Sequence, residues 1–213
     1  MIKVVDLSFA YNKEPILENI NMEINSGITV LRGPNGSGKT TLAKIISGLL
    51  PPKEGRILID NIDIYRNSVE AKEKLNELVY VHDAPVILKG SVYKNLVYGL
   101  KIIGINNYTL LKELIRYFDL DTIIHRNSNE LSAGERQIVS LIRAFSVNPR
   151  YLILDEPLQY LDDEKRKKVV NYLKKLVGRG ATIVIATHEQ ELARHANTLY
   201  YIKYGKVELV ERD

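Results

Sequence analysis

The sequence predicts an α/β fold: a mainly parallel sheet, an amino-terminal antiparallel β subdomain and an inserted helical subdomain. Three observations lead there. Short strand-like segments fill the first 60 residues, helical periodicity runs from residue 91 to about 146, and apolar runs alternate with helices after Pro149. Strands that alternate with helices argue for parallel pairing, because a parallel crossover needs a helix's worth of chain.

Taken in order, KVVDLSF (3–9), NINMEI (19–24) and ITVLR (28–32) are β-branched and alternating, with Ser26 and Gly27 as a turn. The apolar-periodic TTLAKIISGLL (40–50) reads as a helix stopped by Pro51 and Pro52. RILID (56–60) and ELVYV (77–81) are further strands. SVYKNLVYGLKII, YTLLKELIRYFDL and SAGERQIVSLIRAFS form the helical middle. YLILD (151–155) is a buried strand. The segment 162–179 is an amphipathic helix, acids first and bases last as its dipole prefers, with Val169, Val170, Leu173 and Leu176 on one side. TIVIAT (182–187), a short helix from Glu189 and the hairpin LYYIKYGKVELVE close the chain. The expected organisation is one domain, 1–213, with a core at 1–84 and 147–213 and the helical subdomain at about 85–146.

Composition removes several function classes. With 45% hydrophobic and 26% charged residues, the chain matches an ordinary globular mix. It has no cysteine, which excludes disulfides, thiolate metal sites and a thiol nucleophile. No apolar run approaches the roughly 18 residues that span a bilayer, and MIKVVDLSF lacks the pattern of a secretory signal. The expected location is therefore the cytosol, with any membrane action exerted through a partner. The net charge of +4 points only weakly to nucleic acid.

The sharpest feature is GPNGSGKT, comprising Gly33, Pro34, Asn35, Gly36, Ser37, Gly38, Lys39 and Thr40, with a strand before it and a helix after it. This is the phosphate-binding P-loop pattern in its proper context. Backbone N–H groups must converge on phosphate oxygens, so glycines are needed for unusual φ angles and close approach. Lys39 would meet the β- and γ-phosphates, Thr40 would offer its hydroxyl to Mg²⁺, and Thr41 follows in the first helical turn. YLILDEP adds a strand that ends in Asp155 and Glu156. Asp155 would reach the metal, directly or through water, and Glu156 would activate the attacking water.

With LSAGE (131–135), LQYLD (158–162) and Thr187-His188 added in this order, the chain resembles the nucleotide-binding subunit of ATP-binding cassette (ABC) transporters over essentially its whole length. The resemblance implies a P-loop NTPase core, ATP and Mg²⁺ as ligands, and ATP hydrolysis in a nucleotide-sandwiched dimer. It implies that Tyr11 stacks on adenine, that Ser132, Ala133, Gly134 and Glu135 form the signature that caps ATP on the opposite subunit, and that His188 meets the γ-phosphate. Asp162 matches a dimer-contacting loop. Ser132 and Glu135 also have the spacing of a helix capping box. Three positions depart from the family pattern. Asp83 stands where a glutamine is usual and, though shorter and anionic, is expected to reach Mg²⁺ or water; Ala133 replaces the first signature glycine, and Glu135 replaces the commoner glutamine and is expected to turn from the phosphates. The expected partners are a second ATP-binding subunit, a homodimer sufficing, and integral membrane permease subunits docked near 83–96. Nucleic acid is not expected. The segment 85–104 resembles importer ATPases, including those for inorganic oxyanions. The alternatives are a non-transport ABC ATPase of DNA repair, translation or cofactor assembly, and a weakly active regulatory cassette.

Overall fold

The computed structural model describes residues 1–106 and 108–210. Alternating burial along β1 (Ile2–Tyr11) and β2 (Glu14–Ile24) pairs them antiparallel, and β1 also pairs antiparallel with β4 (Glu54–Ile59), which carries the short β5 (Ile62–Asp63). The second sheet holds β3 (Gly27–Arg32), β6 (Leu78–Val81), β7 (Tyr151–Asp155), β8 (Thr182–Thr187), β9 (Thr198–Lys203) and β10 (Lys206–Val210). Its order is β10-β9-β3-β8-β7-β6, parallel throughout except for the edge strand β10. Both expected sheets are therefore present.

Every residue of β7 and β8 is buried. Both faces of these strands are covered, so their sequences are continuous apolar runs. One face carries Leu152, Leu154, Ile183 and Ile185 into a core shared with α3 (Val92–Ile102), α4 (Thr109–Tyr117), α5 (Ala133–Phe145) and α6 (Asp163–Gly178). The other face carries Ile153, Val184 and Ala186 into a core with Leu42, Ile45 and Ile46 of α1 (Lys39–Ile46) and with Ile2 and Ile57 of the antiparallel sheet. Both cores use the central strands, which fixes the carboxyl ends of β3, β7 and β8 relative to one another.

Two details differ from expectation. The helix after the P-loop ends at Ile46, ahead of the two prolines, because Gly48 takes a left-handed φ of 77° that breaks the helical path. The helix α2 (Val69–Asn76) was not anticipated, since Ala71 is its single buried residue and leaves no apolar stripe to read. Its detectable signals are Ser68, whose side chain accepts from the Ala71 amide, and Glu70 in the first turn. A five-residue helix, α7 (Gln190–Arg194), follows β8.

Candidate functional site

Leaving β3, the chain enters the loop 33–38, and α1 begins at Lys39. Gly36 and Gly38 have φ of 77° and 100°, the left-handed region that glycine enters without strain. Gly33 is a glycine for a different reason: a Cβ there would lie 2.1 Å from the Ile202 carbonyl oxygen of β9. Inside the loop Lys39 is 6% exposed as a residue, and its ammonium donates to the carbonyls of Gly33 and Pro34, each at 2.9 Å. Burial lowers its pKa, while the nearby Glu156 and Asp155 carboxylates pull it back up. A cavity of about 420 Å³ opens above the loop, and Ile16 of β2, Asp83 and Glu156 face the loop across it.

At the end of β7 the Asp155 side chain is wholly buried. Its Oδ1 accepts from the Thr40 hydroxyl at 3.1 Å and its Oδ2 from the Tyr80 hydroxyl at 3.1 Å. Burial raises the Asp155 pKa. The two hydroxyls oppose that shift, and the charges of Asp83 and Glu156 add to it. Glu156 then turns away with a left-handed φ of 45°, uncommon for a residue with a side chain. That turn lets its amide donate to the Ala186 carbonyl at 2.9 Å and brings its carboxylate to the end of β8. There Oε2 accepts from the Thr187 hydroxyl at 2.8 Å, Oε1 accepts from the His188 amide at 3.1 Å, and the His188 Nδ1 lies 2.8 Å from the same oxygen.

This arrangement suits a phosphate–metal ligand. A buried hydroxyl, Ser37 Oγ, has no partner inside the protein. Thr40 and Asp155 supply hard oxygen donors side by side. Mg²⁺ needs that kind of site, since it typically takes one or two protein ligands and completes its shell with water and substrate phosphate. The donor set fits it.

Other expected residues lie elsewhere. Tyr11 is 47% exposed at the end of β1, with its ring edge-on to Phe9, and stands outside the cavity lining, where Ile16 is found instead. Asp83 lines the cavity and its carboxylate pairs with the neighbouring His82. None of residues 131–135 lines the cavity. They open α5, where Ser132 and Glu135 form a reciprocal capping box, and Glu135 also bonds Arg126 at 3.2 Å. Asp162 caps α6 by accepting from the Lys165 amide. Tyr80 was not anticipated from sequence, because its partner lies 75 residues away and only the β6–β7 pairing brings them together.

The ABC transporter family model matches residues 17–159. The chain belongs to the ABC transporter family. A Pyrococcus horikoshii protein, provisionally described as an ABC transporter ATP-binding protein, is 32% identical over 97% of this chain and 82% of its own length. The molybdate/tungstate import ATP-binding protein of Methanocaldococcus jannaschii is 34% identical over 91% of this chain, which spans 64% of that relative. Among solved structures, a dimeric ATP-binding cassette in a post-hydrolysis state, bound to ADP and Pi, superposes with a TM-score of 0.87 at 26% identity and full coverage of both chains. This ABC chain is thus an ATP-binding subunit with ATPase activity.

Proposed function

We propose that this ABC ATPase works as a homodimer with ATP sandwiched between the copies, and that it drives integral membrane permease subunits. The observation that carries the reading is the separation of its two half-sites. Ser132 and Ala133 are exposed and Gly134 half-buried at the start of α5, outside the P-loop cavity of their own chain. A second copy would bring them opposite Gly33, Gly36 and Lys39. The helix dipole and the amides of Ala133 and Gly134 at that start suit a phosphate, beside the capping box in which Glu135, held by Arg126, accepts from the Ser132 amide.

In the hydrolytic step Lys39 and the backbone N–H groups of the loop, of which Pro34 has none, hold the β- and γ-phosphates. Glu156 accepts a proton from the attacking water, and Thr187 and His188 fix the orientation of its carboxylate. Thr40 and Asp155, with Asp83 within reach of the same cavity, would hold Mg²⁺. When bound, the ion supplies positive charge to the phosphate oxygens. Tyr11 is assigned to the adenine end, beyond the cavity itself.

The chain would sit on the inner face of the cell membrane through its partners. The reading divides it into a core, 1–84 and 147–213, and a helical subdomain, 85–146, with the permease in the groove between them. That groove, about 450 Å³, is lined by apolar side chains including Val86, Leu88, Tyr98 and Ile102, which suits a docked segment of a partner. Import is favoured over export by the named import relatives.

Glu156→Gln tests the catalytic core of the proposal. With Mg²⁺-ATP the variant should run as a dimer in size-exclusion chromatography while turnover falls by at least about 100-fold. Turnover like that of the native chain would refute the general-base assignment. Recovery of a polytopic membrane protein from detergent extracts supports the transport arm, and recovery of nucleic acid or ribosomes would refute it.

A further inference from the structure

Asp155 has two carboxylate oxygens, and each has one hydroxyl donor: Thr40 from the P-loop helix on Oδ1 and Tyr80 from β6 on Oδ2, both at 3.1 Å. The sheet register produces this pairing. Tyr80 sits opposite Ile153 in the parallel ladder between β6 and β7, and Ile153 and Asp155 share a face of β7. Tyr80 and Asp155 therefore emerge on the same side of the sheet at its carboxyl end. The Tyr80 ring is fixed, packed against the apolar core beneath α1 and edge-on to His82 at 5.9 Å between centroids. A phenol on a packed ring at the end of a strand is a rigid donor, unlike a surface serine or lysine.

We propose that Tyr80 is a positioning residue, whose hydroxyl fixes the plane of the Asp155 carboxylate so that Asp155 and Thr40 present a preformed pair of oxygens to the metal of Mg²⁺-ATP. The proposal rests on the reading of Thr40 and Asp155 as the metal site. Two hydroxyls, one per oxygen, leave the carboxylate little rotational freedom about Cβ–Cγ. Without the phenol, Oδ2 would be buried beside the negative charges of Asp83 and Glu156 with no donor of its own. The carboxylate would then rotate toward Thr40 as a shared acceptor and lose the orientation that the metal requires. Removing an outer partner of a metal-binding group typically lowers metal affinity by about 10- to 100-fold.

The test uses the full chain, a fluorescent ATP analogue and three proteins: native, Tyr80→Phe and Asp155→Asn. Analogue binding is titrated in EDTA and then across a Mg²⁺ series, and Mn²⁺ binding in the presence of nucleotide is followed by electron paramagnetic resonance. Tyr80→Phe keeps the ring and removes only the hydroxyl. It should leave affinity in EDTA unchanged, raise the Mg²⁺ concentration at half-effect by about tenfold or more, and weaken Mn²⁺ binding in parallel. A Tyr80→Phe midpoint within twofold of native, with the Asp155→Asn midpoint displaced, overturns the role of Tyr80 and leaves the metal site standing. Midpoints unmoved in both variants overturn the metal site and this proposal with it. A loss of affinity in EDTA equal to the loss in Mg²⁺ also overturns it, because the hydroxyl would then be supporting the loop as a whole.

Discussion

A methyl group added at Gly134 would stand 2.7 Å from the carbonyl oxygen of Tyr160, a residue itself held at a left-handed φ of 67°. The glycine is thus needed for close approach between the start of α5 and the loop after β7. This gives Gly134 a structural duty beside its proposed contact with a partner's ATP. Ala133, one residue earlier, is the first residue of α5, and its methyl is compatible with the helix. Gly134→Ala should destabilise the monomer by about 1–3 kcal/mol, the usual cost of forcing an extra carbon into a packed contact. The reverse change, Ala133→Gly, should cost about 1 kcal/mol or less. Urea unfolding of the two variants measures the difference, and equal costs would show that the loop can move aside. At this scale the site was partly legible in the sequence. GPNGSGKT, Asp155 and Glu156 are local strings whose chemistry follows from residue type and order. Tyr80 was not legible, since nothing near YVHDAP reports a partner on another strand. The attachment of His188 to Glu156 also depends on β7 lying beside β8.

Among the elements, α5 shows how a departure from the family pattern is accommodated. Glu135 sits where the first helical turn leaves amides unpaired, and its Oε2 accepts from the Ser132 amide at 2.7 Å while the Ser132 hydroxyl accepts from the Glu135 amide. Partial burial pushes its pKa up, but the Ser132 hydrogen bonds and the Arg126 guanidinium outweigh this and hold it below the ordinary 4.5. The sign follows. A carboxylate whose folded pKa is depressed contributes stability that is fully present above its unfolded pKa, and that stability is lost as the pH falls through the folded value. Glu135→Gln keeps an oxygen for the Ser132 amide and removes the charge. The native chain should exceed this variant in stability by about 1 kcal/mol or less near pH 7, a partly exposed pair being worth little. The advantage should shrink as the pH drops below 4.5. Urea midpoints from pH 7 to pH 3 check it, and a constant difference would mean that the charge adds nothing to the cap. Elements with a strong apolar signal were readable. The central strands β7 and β8 are apolar because both their faces are covered, and α6 shows its buried stripe openly. By contrast α2 buries one alanine, so packing leaves no mark on its sequence, and its existence depends on local propensity and the Ser68 cap.

For the molecule as a whole, no helix among the described residues is long and apolar enough to cross a membrane. The sequence placed the docking region near 83–96, and the apolar groove draws on β6 and α5 as well as on the longer run of α3. Its far wall could not be read from sequence, because Tyr98 and Ile102 line it together with Arg143 and Val147, which only the packing of α3 on α5 brings to the same groove. Ile102 and Ile103 are 65% and 51% exposed at the end of α3, and Tyr98 is 47% exposed. A single exposed apolar residue is ordinary, but several along one groove mark a surface that gains by being covered. Ile102→Asp places a charge on that surface at little cost to the fold, since the side chain is already largely in water. The variant should fold with an unfolding midpoint close to native and bind ATP with native affinity, while recovery of the membrane partner from detergent extracts drops by at least about tenfold, as expected for burying an unpaired charge in an apolar contact. Undiminished recovery, with the charge in place and the protein folded, would move the docking surface away from this groove and leave the ATP site untouched.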